Sequence, residues 1–145
     1  MNVVTASIPS AEVLHFTGHA VTKQDGASLV LRDGSISAET IDNLSLTHCR
    51  LVVLASCATF GIRTSERTES LDIPGAFLRA GVKTVVASRW NVDSRSTRLL
   101  MLMFYDELLK GVSPAVALKK AQDEMREQTD FQHPFYWSSF CVLEQ

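Results

Sequence analysis

The sequence has few cysteines, and they form none of the usual paired patterns. Its 145 residues contain three, Cys49, Cys57 and Cys141, with no CxxC pair among them. An odd number of widely spaced cysteines argues against both a disulfide framework and a zinc knuckle. We therefore expect free thiols, no bound metal and no cofactor.

The sequence also lacks an excess of one charge, long apolar runs and a glycine-rich phosphate loop. The formal net charge is −2, with acidic and basic residues interspersed, so no basic surface for nucleic acid is expected. No apolar run approaches the length of a bilayer span, and the first residues do not resemble a signal peptide. The missing glycine-rich loop disfavours a nucleotide-binding doubly wound domain. We expect a cytoplasmic protein with no membrane or nucleic-acid partner.

The chain is long and apolar enough for one domain, residues 1–145, with 46% hydrophobic residues. Apolar, β-branched runs typical of buried strands alternate with segments of helical periodicity, which indicates an α/β layered sheet. The predicted strands are residues 13–17, 51–55, 82–87 and 135–142. Four helices are predicted. Two are short: one is capped by Ser37, and one starts at Ile73 and stops at Gly81. A long helix is capped by Ser94 or Ser96 and runs through Lys110, and Ser113 with Pro114 forms the N-cap and first turn of the helix at residues 115–127.

Other stretches are predicted to be turns or loops. Asp33-Gly34 is a favoured dipeptide for a two-residue hairpin turn, because both turn positions need positive φ. Residues 22–26 are polar and predict a loop, and residues 1–10 predict an arm or the frayed end of a helix. The polar residues 61–70 are expected to be a mobile surface loop and the least ordered internal stretch.

Two of the predicted strands end in residues that carry chemistry. Strand 51–55 runs into Cys57, and strand 13–17 runs into His19. Ligands of open α/β sheets meet the carboxyl ends of the strands, and neighbouring parallel strands end at the same edge. An imidazole that takes the proton of a nearby thiol makes it an effective nucleophile. The two strand ends are therefore a candidate Cys-His pair.

The same residues have structural interpretations. A buried cysteine at a strand end often acts as a small apolar side chain, and a lone histidine is often structural. We interpret Cys49 and Cys141 as packing residues and His15 as a histidine in the core or on a face of the sheet.

Five blocks of the sequence together resemble the CHAT domains, which are caspase-like modules of clan CD cysteine peptidases and are often fused to tetratricopeptide repeats. The blocks are residues 14–19, 29–36, 51–59, 76–81 with 85–93, and 133–137. The resemblance implies a caspase-like layered α/β/α fold with a mostly parallel sheet and a small β-hairpin insertion. Strands that precede the histidine strand in the family are expected to be absent here.

This resemblance implies that the chain is a cysteine endopeptidase that hydrolyses peptide bonds in a protein or peptide substrate. The resemblance also implies that Cys57 is the nucleophile and that His19 is the general base and acid. The backbone N–H groups of Cys57 and Ala20 would then form the oxyanion hole. Two positions depart from the family, since Ala20 and Phe60 stand where glycine is usual. Alanine keeps the N–H donor but restricts φ.

Two residues after strand 82–87 are candidates for substrate binding. Asp93 could form an acidic pocket for a basic residue at the cleavage site, or it could cap the helix that follows. Trp90 could wall a substrate pocket if exposed, or plug the end of the sheet if buried.

A catalytically silent CHAT-like module that scaffolds or senses a protein partner is the alternative function. Only residues 1–12 precede the histidine strand, so its outer edge is expected to be open to pairing with another chain. We therefore expect a fragment of a longer protein, or a module completed by a second copy, a tetratricopeptide-repeat segment or a companion subunit.

Overall fold

A computed structural model of the chain describes residues 6–23, 26–56 and 72–145. Strands and helices alternate along much of this length, and short 3₁₀ turns lie at Ile8–Ser10 and Thr129–Phe131. The strands are β1 (Val13–Gly18), β2 (Ala20–Lys23), β3 (Gly26–Leu31), β4 (Gly34–Ser37), β5 (Leu51–Ser56), β6 (Thr84–Ser88) and β7 (Phe140–Glu144). The α-helices are α1 (Ala38–Asp42), α2 (Ile73–Arg79), α3 (Ser94–Leu109), α4 (Pro114–Glu127) and α5 (Pro134–Trp137).

The main sheet has four strands in the order β1-β5-β6-β7. β1 and β6 both run parallel to β5, whereas β7 runs antiparallel to β6. Every residue of β5 and of β6 is buried, as expected for strands with both faces covered. The predicted α/β class with a mostly parallel sheet is confirmed.

The two faces of the main sheet belong to two apolar cores. Along β5 the side chains alternate: Val52 and Leu54 pack in one core with Phe77 of α2, and Val53 packs in the other with Phe104 of α3. The period of two follows from the pleat of a strand. The sheet thus lies between α1 and α2 on one side and α3 and α4 on the other. None of the helices in the described residues is both long and apolar enough to cross a membrane.

A separate antiparallel sheet, in the order β2-β3-β4, is the small insertion. The prediction that residues 22–26 form a loop is wrong at Thr22, Lys23 and Gly26, because Thr22 pairs with Ala27 and Lys23 with Gly26. The hairpin between β3 and β4 is confirmed, but its turn lies one residue earlier than predicted. Leu31 pairs with Gly34, so the turn residues are Arg32 and Asp33.

The prediction that residues 135–142 form a strand is wrong in its first half, where the chain makes the short helix α5. The capping interactions explain this. Nδ1 of His133 accepts a hydrogen bond from the N–H of Phe135 at 3.2 Å, and Pro134 supplies a preset first-turn φ. Ser138 then closes the turn by donating to the carbonyl of Pro134 at 2.8 Å. The aromatic residues suggested β-structure, but the caps favour a helical turn.

Most other predicted elements are confirmed, with small shifts of their ends. Ser37 and Ser113 cap α1 and α4, each accepting a backbone N–H three residues on. β6 starts at Thr84 rather than at residue 82. Residues 6–10 form helical turns, whereas residues 1–5 and the predicted loop at 61–70 lie outside the described residues.

β1 lies at one edge of the main sheet. The carbonyl of Glu12 accepts a hydrogen bond from the N–H of Arg50 at 2.8 Å. The backbone N–H and C=O groups of Glu12 and of every second residue after it therefore point toward β5. The residues between them, Val13, His15 and Thr17, direct their N–H and C=O groups outward and are exposed. In the part of the chain that the structure describes, no strand pairs with this outer edge.

The buried position of β5 predicts a large cost for truncating it. Leu54 is 0% exposed, and Leu54→Ala should lower the free energy of unfolding by about 2–5 kcal/mol through lost contacts and a residual cavity. Leu109→Ala, at a leucine that is 86% exposed, should change it by less than about 0.5 kcal/mol. Urea denaturation measures both, and equal effects would contradict this placement of β5.

Candidate active site

The parallel pairing of β1 with β5 extends to their carboxyl ends. Gly18 is the register partner of Ser56, and these are the last residues of the two strands. His19 and Cys57 are the next residues in the chain. Cys57 lies outside the described residues, so its candidate role stays a prediction.

His19 is exposed and connects the main sheet to the small one. Its carbonyl accepts a hydrogen bond from the N–H of Val30 at 2.8 Å, which anchors the backbone at the start of β2. Successive residues of an antiparallel strand point their backbone groups to opposite sides. The N–H of Ala20, one residue on, therefore points away from β3 and is not used by that ladder.

Two buried serines lie at the ends of β5 and β6, and sequence reasoning missed them. Ser56 is 1% exposed and Ser88 is 0% exposed. The hydroxyl of Ser88 donates a hydrogen bond to the carbonyl of Ser56. Within the described residues the hydroxyl of Ser56 has no hydrogen-bond partner. A hydroxyl residue at the end of each of two apolar strands is the sequence signal that could have identified this pair.

Trp90 lies just beyond β6 and is half-buried. Its Nε1 donates to the carbonyl of Phe135 in α5 at 3.3 Å, and the N–H of the preceding Arg89 donates to the carbonyl of Ser139 at 2.8 Å. These bonds connect the carboxyl end of β6 to the segment before β7. Because Trp90 is half-buried, it matches neither the exposed pocket wall nor the buried plug. A role in substrate binding stays a prediction.

Asp93 caps α3, as one of the two interpretations proposed. Its Oδ2 accepts the N–H of Ser96 at 2.8 Å, and its carbonyl accepts the hydroxyl of Ser96 at 3.1 Å. The N–H of Ser96 holds the pKa of the Asp93 carboxyl below its ordinary value. The prediction that Ser94 or Ser96 is the cap is wrong, because the carboxylate of Asp93 takes that position. Asp93 remains exposed, so its carboxylate is charged and open to solvent at neutral pH.

The two described cysteines are packing residues without a disulfide. Cys49 is buried, and its Sγ lies 3.5 Å from the carbonyl of Leu51 as a weak donor. Burial raises the pKa of the Cys49 thiol, which makes it a poor nucleophile. Cys141 is half-buried in β7, with its Sγ 3.7 Å from the carbonyl of Ala87. Among the described residues, no three His, Cys, Asp or Glu side chains lie together as metal ligands would.

His15 is a histidine on one face of the sheet, as predicted. Its Nδ1 lies 2.6 Å from the hydroxyl of Tyr105 on α3. His15 is exposed as a whole residue, but its imidazole is partly desolvated, and this lowers the pKa of His15. Burial raises the pKa of Tyr105 to about 12. Both groups are therefore neutral at neutral pH, and the hydrogen bond between Nδ1 of His15 and the hydroxyl of Tyr105 joins β1 to the helical layer.

The layered α/β/α fold, the mostly parallel sheet and the small antiparallel insertion define a protein of caspase-like fold. The chain belongs to the CHAT domain family, whose family model matches residues 1–144. It is similar to human tetratricopeptide repeat protein 28, with 32% identity over 68 residues, which are 47% of this chain and 3% of that protein. The mouse protein of the same name is 27% identical over 113 residues, which are 78% of this chain and 4% of that protein. The chain thus spans a small part of the relatives it matches.

The His15–Tyr105 pair predicts a pH dependence of stability. Because burial lowers the pKa of His15 below its ordinary 6.5, the unfolded chain binds more protons than the folded chain below that pH. The stability contributed by neutral His15 is complete above pH 6.5 and is lost as the pH falls through its folded pKa. His15→Gln removes this titration and still offers an acceptor to Tyr105.

The free energy of unfolding should therefore fall less steeply with decreasing pH in His15→Gln than in the wild type. Urea denaturation at a series of pH values measures this slope. His48→Gln, at an exposed position before β5, is the control for losing a histidine. Identical slopes for the wild type and His15→Gln would show that His15 does not titrate differently in the folded state.

Proposed function

We propose that this CHAT domain is a cysteine endopeptidase, with Cys57 as nucleophile and His19 as general base and acid. The observation that carries the proposal is the register of β1 and β5. Gly18 and Ser56 are paired at the ends of two parallel strands, and His19 and Cys57 follow them directly in the chain. Neighbouring parallel strands that end in register deliver their next residues to the same edge of the sheet.

The chemistry needs proton transfer and a site for the oxyanion. His19 takes the thiol proton, and the thiolate of Cys57 attacks the scissile carbonyl carbon to form a tetrahedral intermediate. The N–H groups of Cys57 and Ala20 stabilise its oxyanion. Collapse expels the amine, which leaves with the proton held by His19, and water activated by His19 hydrolyses the thioester. The outward direction of the Ala20 N–H relative to β3 supports its part in this scheme.

The alternative, a scaffolding module without catalysis, is supported by a different observation. The outer edge of β1 presents the backbone groups of Val13, His15 and Thr17, and edge strands of this kind pair with other chains. Both relatives are named as tetratricopeptide repeat proteins, so we propose that a repeat segment is a companion of this domain. Pairing with a second copy through β1 is part of this alternative. A protein or peptide substrate belongs to the peptidase proposal, and a cytoplasmic location is proposed with either function.

The reactivity of the three thiols separates the peptidase from the scaffold. With a low dose of iodoacetamide, Cys57 should be alkylated faster than Cys49 and Cys141, because an adjacent imidazole increases its thiolate fraction. His19→Ala should slow the alkylation of Cys57 by about tenfold or more, since a thiol of ordinary pKa is only a few per cent ionised near pH 7. Peptide mapping by mass spectrometry measures each cysteine separately.

His48→Ala is the matched control, because it removes an exposed histidine that precedes β5 rather than following β1. It should leave all three alkylation rates unchanged. Equal rates for the three thiols, together with no effect of His19→Ala on Cys57, would contradict the peptidase.

The substrate role of Asp93 can be separated from its role as a helix cap. Asparagine is also a good N-cap, so Asp93→Asn should retain the stability of α3 and remove only the charge. If the carboxylate binds a basic residue, this variant should lose the preference for Lys and Arg in a library of fluorogenic tetrapeptide amides. Asp93→Ala should in addition lower the free energy of unfolding by about 1 kcal/mol. An unchanged preference in Asp93→Asn would leave Asp93 as a cap only.

A further inference from the structure

The open edge of β1 continues, on one face of the main sheet, into an exposed surface of α3. Nδ1 of His15 lies 2.6 Å from the hydroxyl of Tyr105 on α3, so the His15 side chain is on the α3 face. Side chains two residues apart in a strand share a face, so Val13 and Thr17 lie on it as well. All three residues are exposed, and no strand of the described chain pairs with their outward backbone groups. Hydrogen-bonding groups and β-branched side chains are therefore accessible together along this edge.

The adjacent surface of α3 carries a row of three exposed side chains. Leu102 lies one turn before Tyr105 and is 51% exposed. Arg98 lies four residues before Leu102 and Asp106 four residues after it, so the three share one side of the helix. The two charged residues are about 12 Å apart along the helix axis, which is too far for them to pair with each other. Among the residues that the structure describes, neither forms a salt bridge.

A two-fold axis at the edge of β1 would bring both surfaces against a second copy of the chain. Antiparallel pairing of two β1 strands about His15 puts Val13 of each copy opposite Thr17 of the other and uses all the outward backbone groups. Strands are about 4.8 Å apart and a helix is about 10 Å wide, so one helix covers about two strands. α3 covers β1 and β5, since it contacts His15 and packs in the core with Val53. The two α3 helices would therefore lie about 10 Å apart and antiparallel, which is an ordinary distance for packed helices.

The α3 row is complementary to itself under this symmetry. Leu102 of one copy meets Leu102 of the other, and Arg98 of each copy faces Asp106 of the other, because the two charges are equally spaced about the leucine. An interface between identical copies requires such self-complementarity. We propose that β1 and the α3 row form an interface with a second copy of this chain, which joins two four-stranded sheets into one continuous sheet. This interface extends the second-copy pairing proposed with the scaffold function, on which it rests, and it does not need the peptidase reaction.

Reversal of the two charges tests the contact between the α3 helices. Arg98→Glu or Asp106→Arg alone places like charges opposite each other at both ends of the contact, so each should raise the Kd of the dimer by about tenfold or more. The double variant restores opposite charges and should have a Kd within about threefold of the wild type. Sedimentation equilibrium at low salt, over about 1–100 μM protein, measures each Kd. Both positions are exposed, and an acid nearer the N-terminus and a base nearer the C-terminus agree with the helix dipole, so the variants should fold.

Arg126→Glu is the matched control, because it makes the same change of charge at an exposed position of α4. Gln122 of α4 donates to the carbonyl of Phe140 in β7, which places α4 toward the opposite edge of the sheet. This variant should have the Kd of the wild type. Hydrogen exchange tests the β1 part of the interface, since the outward N–H groups of β1 should exchange about tenfold or more slowly in the dimer than in the monomer.

Three results would overturn the interface. A wild type that stays monomeric at about 100 μM would show that this surface does not bind a second copy. A dimer that the single reversals leave unchanged, or that the double reversal weakens further, does not use the α3 row. A dimer without slowed exchange in β1 does not join the two sheets. The peptidase fails or holds separately: Cys57→Ala should dimerise like the wild type, and Arg98→Glu should leave the alkylation rate of Cys57 unchanged.

Discussion

The structure depends on the hydrogen bonding of β5 along both of its edges. All six residues of β5 are buried, so its N–H and C=O groups have to be satisfied by neighbouring strands rather than by water. β1 and β6 supply these partners in parallel register from Leu51 onward. Parallel pairing on both sides makes the three strands end at one edge. The hydrogen bonds of the β5 backbone to β1 and β6 therefore determine the edge at which the candidate site is proposed.

Elements with a strong local signal could be predicted from the sequence. The buried, β-branched run of β5 and the serine caps of α1 and α4 lie where their patterns indicate. Two local errors arose where competing signals were close in strength. The aromatic residues after Pro134 suggested a strand, but the His133 cap and the proline favour a helical turn. The polar residues after Val21 suggested a loop, but Thr22 and Lys23 pair with β3.

The sequence could suggest candidate site residues only where they follow from strand order. A thiol and an imidazole after two apolar runs could be recognised as candidates, because neighbouring parallel strands end at the same edge of a sheet. The Ser88 hydrogen bond depends on the two strands being adjacent and on the ladder stopping at Ala87, which the sequence does not specify. The contact of Trp90 with the carbonyl of Phe135 likewise needs the C-terminal strand to return beside β6. Such contacts between distant segments arise from the tertiary fold and carry little local signal.

The central claim is that the edge at which β1 and β5 end carries out peptide hydrolysis through Cys57. The most direct measurement compares the wild type with Cys57→Ala on the fluorogenic tetrapeptide library, with thermal unfolding recorded for both. Replacing a thiol by a methyl group removes little volume, so the variant should retain the fold. The account predicts that the wild type cleaves members of the library and that a folded Cys57→Ala variant cleaves none. Cleavage retained by that variant would contradict it.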